Sequence, residues 1–347
     1  MQKRSKLVAV AGGLAVCLVG GAVCAWLRTP IPWMIGSMLA MASVQMAGAQ
    51  FETLPGGREA GMVIVGVSLG LYFTAPVVRE VATLWPWFVA LGLAAIGFGA
   101  LSGLVLARLS GVDRATAYFS SMPGGASEMA MMGERHGAAP DRVALAHSMR
   151  MLVVVTLVPV SITLAGFHST EDYRPVVIAF EPGGLALLLA IASTAGWVAR
   201  RLGVPTAYMI GPLALSIALT VSGITLSSVP TPLTNLAQVL LGCALGARFD
   251  RSFLATAPRF VAALVPSIAV MLALAALVGW AIGLGSGTYL GTALLAAAPG
   301  GIAEMAITAK VLRLGVAFVT AAHVVRYVVV VLLTGPLFRL FSRNKRL

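Results

Sequence analysis

Long apolar runs separated by short polar breaks fill the chain from Leu7 almost to its end. The first, LVAVAGGLAVCLVGGAVCAWL, begins at Leu7 and holds about 20 apolar residues, the number a helix needs to cross a hydrocarbon core about 30 Å thick. Runs such as MLVVVTLVPVSITLAG (151–166) lack the apolar–polar alternation of a membrane β-barrel, so the pattern predicts helices. Six elements are expected in the first half, at roughly 7–26, 32–48, 60–78, 85–107, 115–136 and 141–165. The fifth differs from the rest. Pro123-Gly124-Gly125 lies in its middle, and proline followed by two glycines does not continue a lipid-facing helix, so this element is a broken span or a re-entrant hairpin.

The second half repeats the first. TPIPWMIG (29–36) returns as VPTAYMIG (204–211), VGVSLG (65–70) as LGCALG (241–246), and PGGASEMA (123–130) as PGGIAEMA (299–306). The offset is 175 at the first match and 176 at the others. Between 123–150 and 299–326, 10 of 28 positions are identical, among them Glu, His and Arg, which chance similarity of apolar helices does not supply in register. The expected organisation is therefore two repeats, 1–165 and 183–347, joined by an extracytoplasmic loop at 166–182.

Charge chooses between the two forms of the fifth element. Twelve crossings divide the basic residues evenly, 11 on each side. If the fifth element of each repeat re-enters, ten crossings place 17 basic residues inside with both termini and 5 outside, leaving Arg150 and Arg326 within the membrane. That bias obeys the positive-inside rule. Five crossings per repeat also make the repeats inverted. The expected fold is an all-α polytopic membrane protein of two inverted repeats, each with about five transmembrane helices and one re-entrant broken element.

Composition agrees: 59% of the 347 residues are hydrophobic and 10% charged, which excludes an ordinary soluble enzyme. The net charge of +12 suits nucleic acid in a soluble domain, but here the basic residues stand singly at helix ends, so we expect orientation in a lipid bilayer and no nucleic-acid partner. MQKRSK before the first apolar run has the form of a signal peptide. That run is long enough to span and has a counterpart at 185–202, so an uncleaved first helix is expected. Cys17, Cys24 and Cys243 form no CxxC and lie in apolar runs, as small buried residues do.

Depth brings the polar residues together. Gly124 to His136 makes a half-helix of about 18 Å, reaching roughly the midplane, with Glu128 about one turn below its tip. His147 and Arg150, about 10 and 15 Å into the next span, share a face through their i, i+3 spacing. Glu128, His147 and Arg150 can therefore meet, and Glu304, His323 and Arg326 repeat the set. The candidate binding site comprises Pro123, Gly124, Gly125, Ser127, Glu128, His147 and Arg150, with Pro299, Gly300, Gly301, Glu304, His323 and Arg326 in the second repeat. A charge at that depth costs at least about 3 kcal/mol, so it pairs or lines a water-filled path. Two readings follow: a structural Glu128–Arg150 ion pair locking the hairpin, or an ion or substrate pathway with tip amides and an arginine for an anionic group and histidines for proton coupling. The PGG sequences at 55–57 and 182–184 lack the following glutamate and are expected to be turns before helices. Methionines crowd the first site, but only Met305 survives among them in the second, so apolar packing is expected rather than a copper site, and no cofactor is.

Through MIGSML, VGVSLG and SMPGGASEMA, then MIGPLA, LGCALG and APGGIAEMA, nearly the whole chain resembles the AbrB family of bacterial integral membrane proteins, in which this domain is duplicated. The resemblance implies a multi-pass protein of the bacterial cytoplasmic membrane and an association with regulation of gene expression. Members are often labelled ammonia monooxygenases. Ammonia oxidation needs a redox metal, and His136, His147, His168 and His323 form no close ligand motif, so no enzymatic activity is expected. The expected function is a secondary transporter or exporter of a small solute coupled to protons or a cation. A membrane-embedded regulator is the alternative, and a homo-oligomer is compatible with either.

Overall fold

The computed structural model describes residues 2–167, 179–249 and 257–343. Most of the connecting loop, including His168, Glu171 and Asp172, lies outside the described residues. Among those described there are fifteen α-helices and no strand. In the first repeat they are α1 Gln2–Trp26, α2 Pro32–Met46, α3 Gly57–Gly70, α4 Ala75–Thr83, α5 Trp85–Ser110, α6 Arg114–Ser121, α7 Ala126–Glu134 and α8 Pro140–Leu164. In the second they are α9 Pro182–Arg201, α10 Ala207–Val221, α11 Thr231–Gly246, α12 Pro258–Ser286, α13 Leu290–Ala297, α14 Ile302–Val311 and α15 Val316–Arg343.

Among the described residues, six helices are long and apolar enough to cross a membrane: α1, α5, α8, α9, α12 and α15, three from each repeat. They present large apolar side chains outward, among them Leu7, Val19, Leu93, Leu277 and Leu332, as helices facing lipid do. Exposed Trp26, Trp85, Trp197 and Trp280 sit near helix ends, where indole rings favour the membrane interface. The other expected crossings are shorter. α2, α3, α10 and α11 have 14–16 residues, which at 1.5 Å per residue give about 21–24 Å, less than the hydrocarbon thickness. The element expected at 60–78 is two helices, α3 and α4, bent by 92° where tight turns run through Leu71 to Thr74.

The chain divides into two compact units, each drawing on both sequence repeats. The first holds Met1–Ala82, Pro159–Arg251 and Ala306–Ala317; the second holds Thr83–Val158, Ser252–Met305 and Phe318–Leu347.

In the first unit the repeated glycines are where helices touch. α2 packs on α1 and α11, and α10 on α9 and α3. A Cβ at Gly36 of α2 would collide with the Gly20 carbonyl, and one at Gly211 of α10 would stand 2.6 Å from the Ala195 carbonyl oxygen. One at Gly66 of α3 would be 2.8 Å from the Met209 oxygen, and one at Gly242 of α11 would be 2.6 Å from the Met34 oxygen. These contacts are reciprocal: α3 of the first repeat meets α10 of the second as α11 meets α2. Gly66–Gly70 and Gly242–Gly246 are spaced four apart, so one face of each helix is bare backbone and the partner approaches closely. The duplication extends to strain. Ile31 and Thr206, the N-caps of α2 and α10, both adopt left-handed backbone, at φ 41° and 51°.

In the second unit α5 packs along α12, and the Ser102 and Ser267 hydroxyls lie 2.8 Å apart, each within hydrogen-bond reach of the other's backbone carbonyl. Gly103 of α5 lies against the Ala117 carbonyl of α6, and its counterpart Gly279 of α12 against Ala293 of α13.

Gly66→Val is expected to destabilise the protein by about 1–3 kcal/mol, because the added methyls meet the backbone of α10. Thermal unfolding of the purified protein in detergent measures this, with Gly97→Ala, which meets nothing within 4 Å, expected to melt as the unsubstituted protein does.

Candidate functional site

The fifth element of the first repeat is a hairpin. α6 ends at Ser121, Met122 to Gly125 form the break, and α7 starts at Ala126. The hydroxyl of Thr116, near the start of α6, accepts a 2.8 Å hydrogen bond from the amide of Ala139, beyond the end of α7. The ring of Phe119 stacks near His136, centroids 5.4 Å apart. The two half-helices thus run back along each other, and Pro123 is the tip. The second repeat has the same elements, α13 to Ala297, a break at Ala298 to Gly301, and α14 from Ile302. At each tip the first glycine of the motif's Pro-Gly-Gly closes a tight turn: Gly124 N–H donates to Met122 O at 2.9 Å, and Gly300 N–H to Ala298 O at 2.8 Å.

Breaking a helix leaves the carbonyls of its last turn without partners. In this apolar surrounding they are satisfied by His147 and Arg150 of α8. His147 Nε2 lies 3.0 Å from Phe119 O. Arg150 donates through Nη1 to Met122 O at 2.8 Å, and through Nη2 to Gly124 O at 3.3 Å and His147 Nδ1 at 3.0 Å. A carbonyl only accepts and a guanidinium only donates, so His147 is the neutral tautomer with its proton on Nε2. His323 and Arg326 of α15 repeat the pattern: His323 Nε2 is 3.2 Å from Leu295 O, and Arg326 donates to Ala298 O and Gly300 O. All four side chains are buried. Here the copies diverge, since His323 Nδ1 has no partner among the described residues.

Glu128 stands apart from the network at the first break. Glu128, in the first turn of α7, is half-buried, with its carboxylate folded over Gly125, so that a Cβ there would collide with it; Glu304 lies over Gly301 in the same way. The Glu128–Arg150 ion pair weighed above is not formed. Arg150 is engaged by carbonyls, and the Glu128 carboxylate has no ion-pair or hydrogen-bond partner among the described residues. The first glycine of each motif also has a reason: Gly124 lies against Met129, and Gly300 against Met305, the methionine that follows each glutamate. Pro123 and Pro299 are buried, whereas Ser127 is exposed. Met122 and Met129 belong to an apolar cluster with Phe98, Phe119 and Val330, as packing requires.

The two tips face each other's following helix. Added Cβ atoms at Gly125 and Gly301 would each lie 3.2 Å from residue 327 or 151, that is, from the Tyr327 hydroxyl and the Met151 methyl. Met151 and Tyr327 are equivalent positions of the two repeats, each next to its arginine, so the exchange is reciprocal. Sequence reading missed Tyr327 because its counterpart is a methionine, which hides the correspondence.

A family model described as transition state regulatory protein AbrB matches residues 33–342. The chain belongs to the AbrB family. It is 26% identical over 368 residues to YhjN of Bacillus subtilis (strain 168), covering 98% of this chain and 95% of that one. It is 27% identical over 309 residues to a protein of Escherichia coli (strain K12) named as a regulator, AbrB, covering 88% of each. In this AbrB chain the HxxR spacing matches a helical turn, so both side chains reach carbonyls one turn apart on the neighbouring half-helix.

Arg150→Met strips Gly124 O of its side-chain donor and leaves Met122 O only the Gly124 N–H, and about 1–3 kcal/mol is expected for the carbonyl left unpaired. Denaturant or thermal unfolding in detergent should show this loss in Arg150→Met. Glu128→Gln, which removes no such bond, should unfold within about 0.5 kcal/mol of the unsubstituted protein.

Proposed function

We propose that this AbrB-family protein is a secondary transporter of the bacterial cytoplasmic membrane, moving a small anionic or zwitterionic solute coupled to protons or another cation, with Glu128 and Glu304 as the coupling carboxylates. The observation that carries this reading is Glu128. Its carboxylate is half-buried beside a helix break without a partner among the described residues, and the nearby guanidinium of Arg150 is engaged by carbonyls. A membrane-embedded carboxylate costs at least about 3 kcal/mol, and a bound proton or cation removes that charge. Loading and release then give the site two states of different charge, which is what coupling requires.

The six long helices support multi-pass insertion. Three crossings per repeat, like five, is an odd number, which sets the repeats in opposite orientations with both termini on one side; the basic residues beside the termini, Lys3, Arg4, Lys6, Arg339, Arg343, Lys345 and Arg346, make that side the cytoplasm. The reciprocal contacts between the repeats accord with such symmetry. In this reading the histidines keep carbonyls satisfied and the chain carries no enzymatic activity. A regulatory role is the second reading, favoured by the name of the Escherichia coli relative. A transporter that changes the internal concentration of an inducer produces that effect without contacting nucleic acid.

Purified protein in liposomes with an imposed pH gradient, followed with a proton-sensitive dye and a panel of labelled metabolites, tests the first reading. Solute-dependent proton movement is expected, reduced at least about tenfold in Glu128→Gln and Glu304→Gln, the equivalent of about 1.4 kcal/mol. Transport unchanged in both variants removes the glutamates from the mechanism.

A further inference from the structure

A second polar feature lies wholly within the first compact unit. α3, α11 and the end of α14 surround a cavity of about 420 Å³, with Ser68, Asn235, Gln238 and Lys310 on its polar side and Leu69 and Ile307 on its apolar side. It opens beside the exposed residues Thr231, Val311 and Arg313. Its volume falls in the range of small-molecule sites, about 300–1,000 Å³, towards the lower end. No acidic residue lines it, so Lys310, with Arg313 at the mouth, leaves it positively charged.

Two of its groups are incompletely used by the fold. Lys310 donates to the Ser68 hydroxyl, and its ammonium lies 5.9 Å from the Tyr72 ring centroid. An ammonium has three N–H donors, and one hydrogen bond accounts for one of them. Gln238 is 4% exposed, yet its side-chain oxygen has no hydrogen-bond partner among the described residues. A buried acceptor left open is costly, and native proteins keep few of them.

The duplication shows that the fold does not require these groups. At the offset of 176, Ser68, Gln238 and Lys310 correspond to Ala244, Met62 and Glu134. The other repeat builds the same helices with an alanine, a methionine and a residue of opposite charge. The polar set therefore belongs to one repeat only, unlike the His and Arg residues that hold both breaks.

We propose that this cavity binds a small amino- or hydroxycarboxylate, its carboxylate pairing with Lys310 Nζ and its ammonium or hydroxyl group donating to the Gln238 side-chain oxygen. Lys310 selects for an anion, Gln238 for a neighbouring donor, and the Leu69–Ile307 wall admits a short hydrocarbon chain. Binding here requires no ion gradient and does not depend on the roles given to Glu128 and Glu304.

The test is equilibrium binding to the full-length protein in detergent, by calorimetry and thermal shift, of L-alanine, L-serine, L-leucine and L-lactate. Propionate, which lacks the donor, and ethanolamine, which lacks the carboxylate, serve as comparisons. At least one amino- or hydroxycarboxylate should bind about tenfold or more tightly than propionate, because a site built to pair a polar group rejects the analogue that lacks it, and ethanolamine should not bind. Lys310→Gln, which retains a donor for Ser68, should abolish binding. Gln238→Met, the residue of the other repeat, should bring the preferred ligand down to the affinity of propionate. Gly97→Ala, which meets nothing within 4 Å, should bind as the unsubstituted protein does. Failure of all four ligands to bind overturns the proposal, as does unchanged binding in a folded Lys310→Gln variant or unchanged discrimination in Gln238→Met.

Discussion

A broken helix in apolar surroundings has carbonyls that water does not reach, and the rest of this structure is arranged around meeting that need. At each break the carbonyls of the last helical turn and of the Pro-Gly-Gly tip are met by one histidine and one arginine from the helix that follows the hairpin. A lysine, with a single point of charge, does not span two carbonyls as a planar guanidinium does. The buried positive charge is the consequence, since only a donor-rich group closes the break.

Close backbone approach is the second constraint, and it follows from the lipid setting. Where the solvent is itself apolar, helices associate through packing rather than through burial of hydrocarbon. The glycines at 36, 66, 211 and 242 let carbonyls of one helix touch the next helix directly. Bulky residues on those faces would separate the helices and lose dispersion contacts along their length. The same economy holds at the tips, where Gly125 and Gly301 have no side chain because a carboxylate occupies the space.

Much of this was legible from the residues alone. Helical spans follow from the apolar runs, and the duplication from Gly, Pro, Glu, His and Arg matching in register, because each of those residues is needed for a backbone or charge reason that apolar neighbours do not share. The break at Pro123 was readable from its Pro-Gly-Gly, and the Thr116–Ala139 hydrogen bond folds its two halves together. Other features were hidden for physical reasons. Leu71, Tyr72 and Phe73 are as apolar as the helix before them, so hydropathy runs through a bend of 92°. The partners of Arg150 are backbone carbonyls, which have no signature in residue identity, and a nearby carboxylate was the more visible candidate. The cavity around Lys310 joins residues from three distant segments, and only the three-dimensional fold brings them together.

Comparing the two repeats also separates structure from function more sharply than either repeat alone. Features present twice, the His–Arg pair, the tip glycines and the left-handed residues at 31 and 206, are those the shared fold needs to close. Glu128 and Glu304 are also present twice, yet Glu128 contributes no bond to the break beside it, so its recurrence calls for a reason other than backbone satisfaction. Features present once, Lys310, Gln238 and Ser68, are dispensable to folding by the same comparison, since Glu134, Met62 and Ala244 serve in their places. A polar group kept in an apolar protein against its solvation cost, and required by neither copy of the fold, is most simply explained by what it binds. The paired carboxylates and the single cationic cavity thus fall into different classes: the first suited to a charge that both halves handle alike, the second to a solute that meets only one of them.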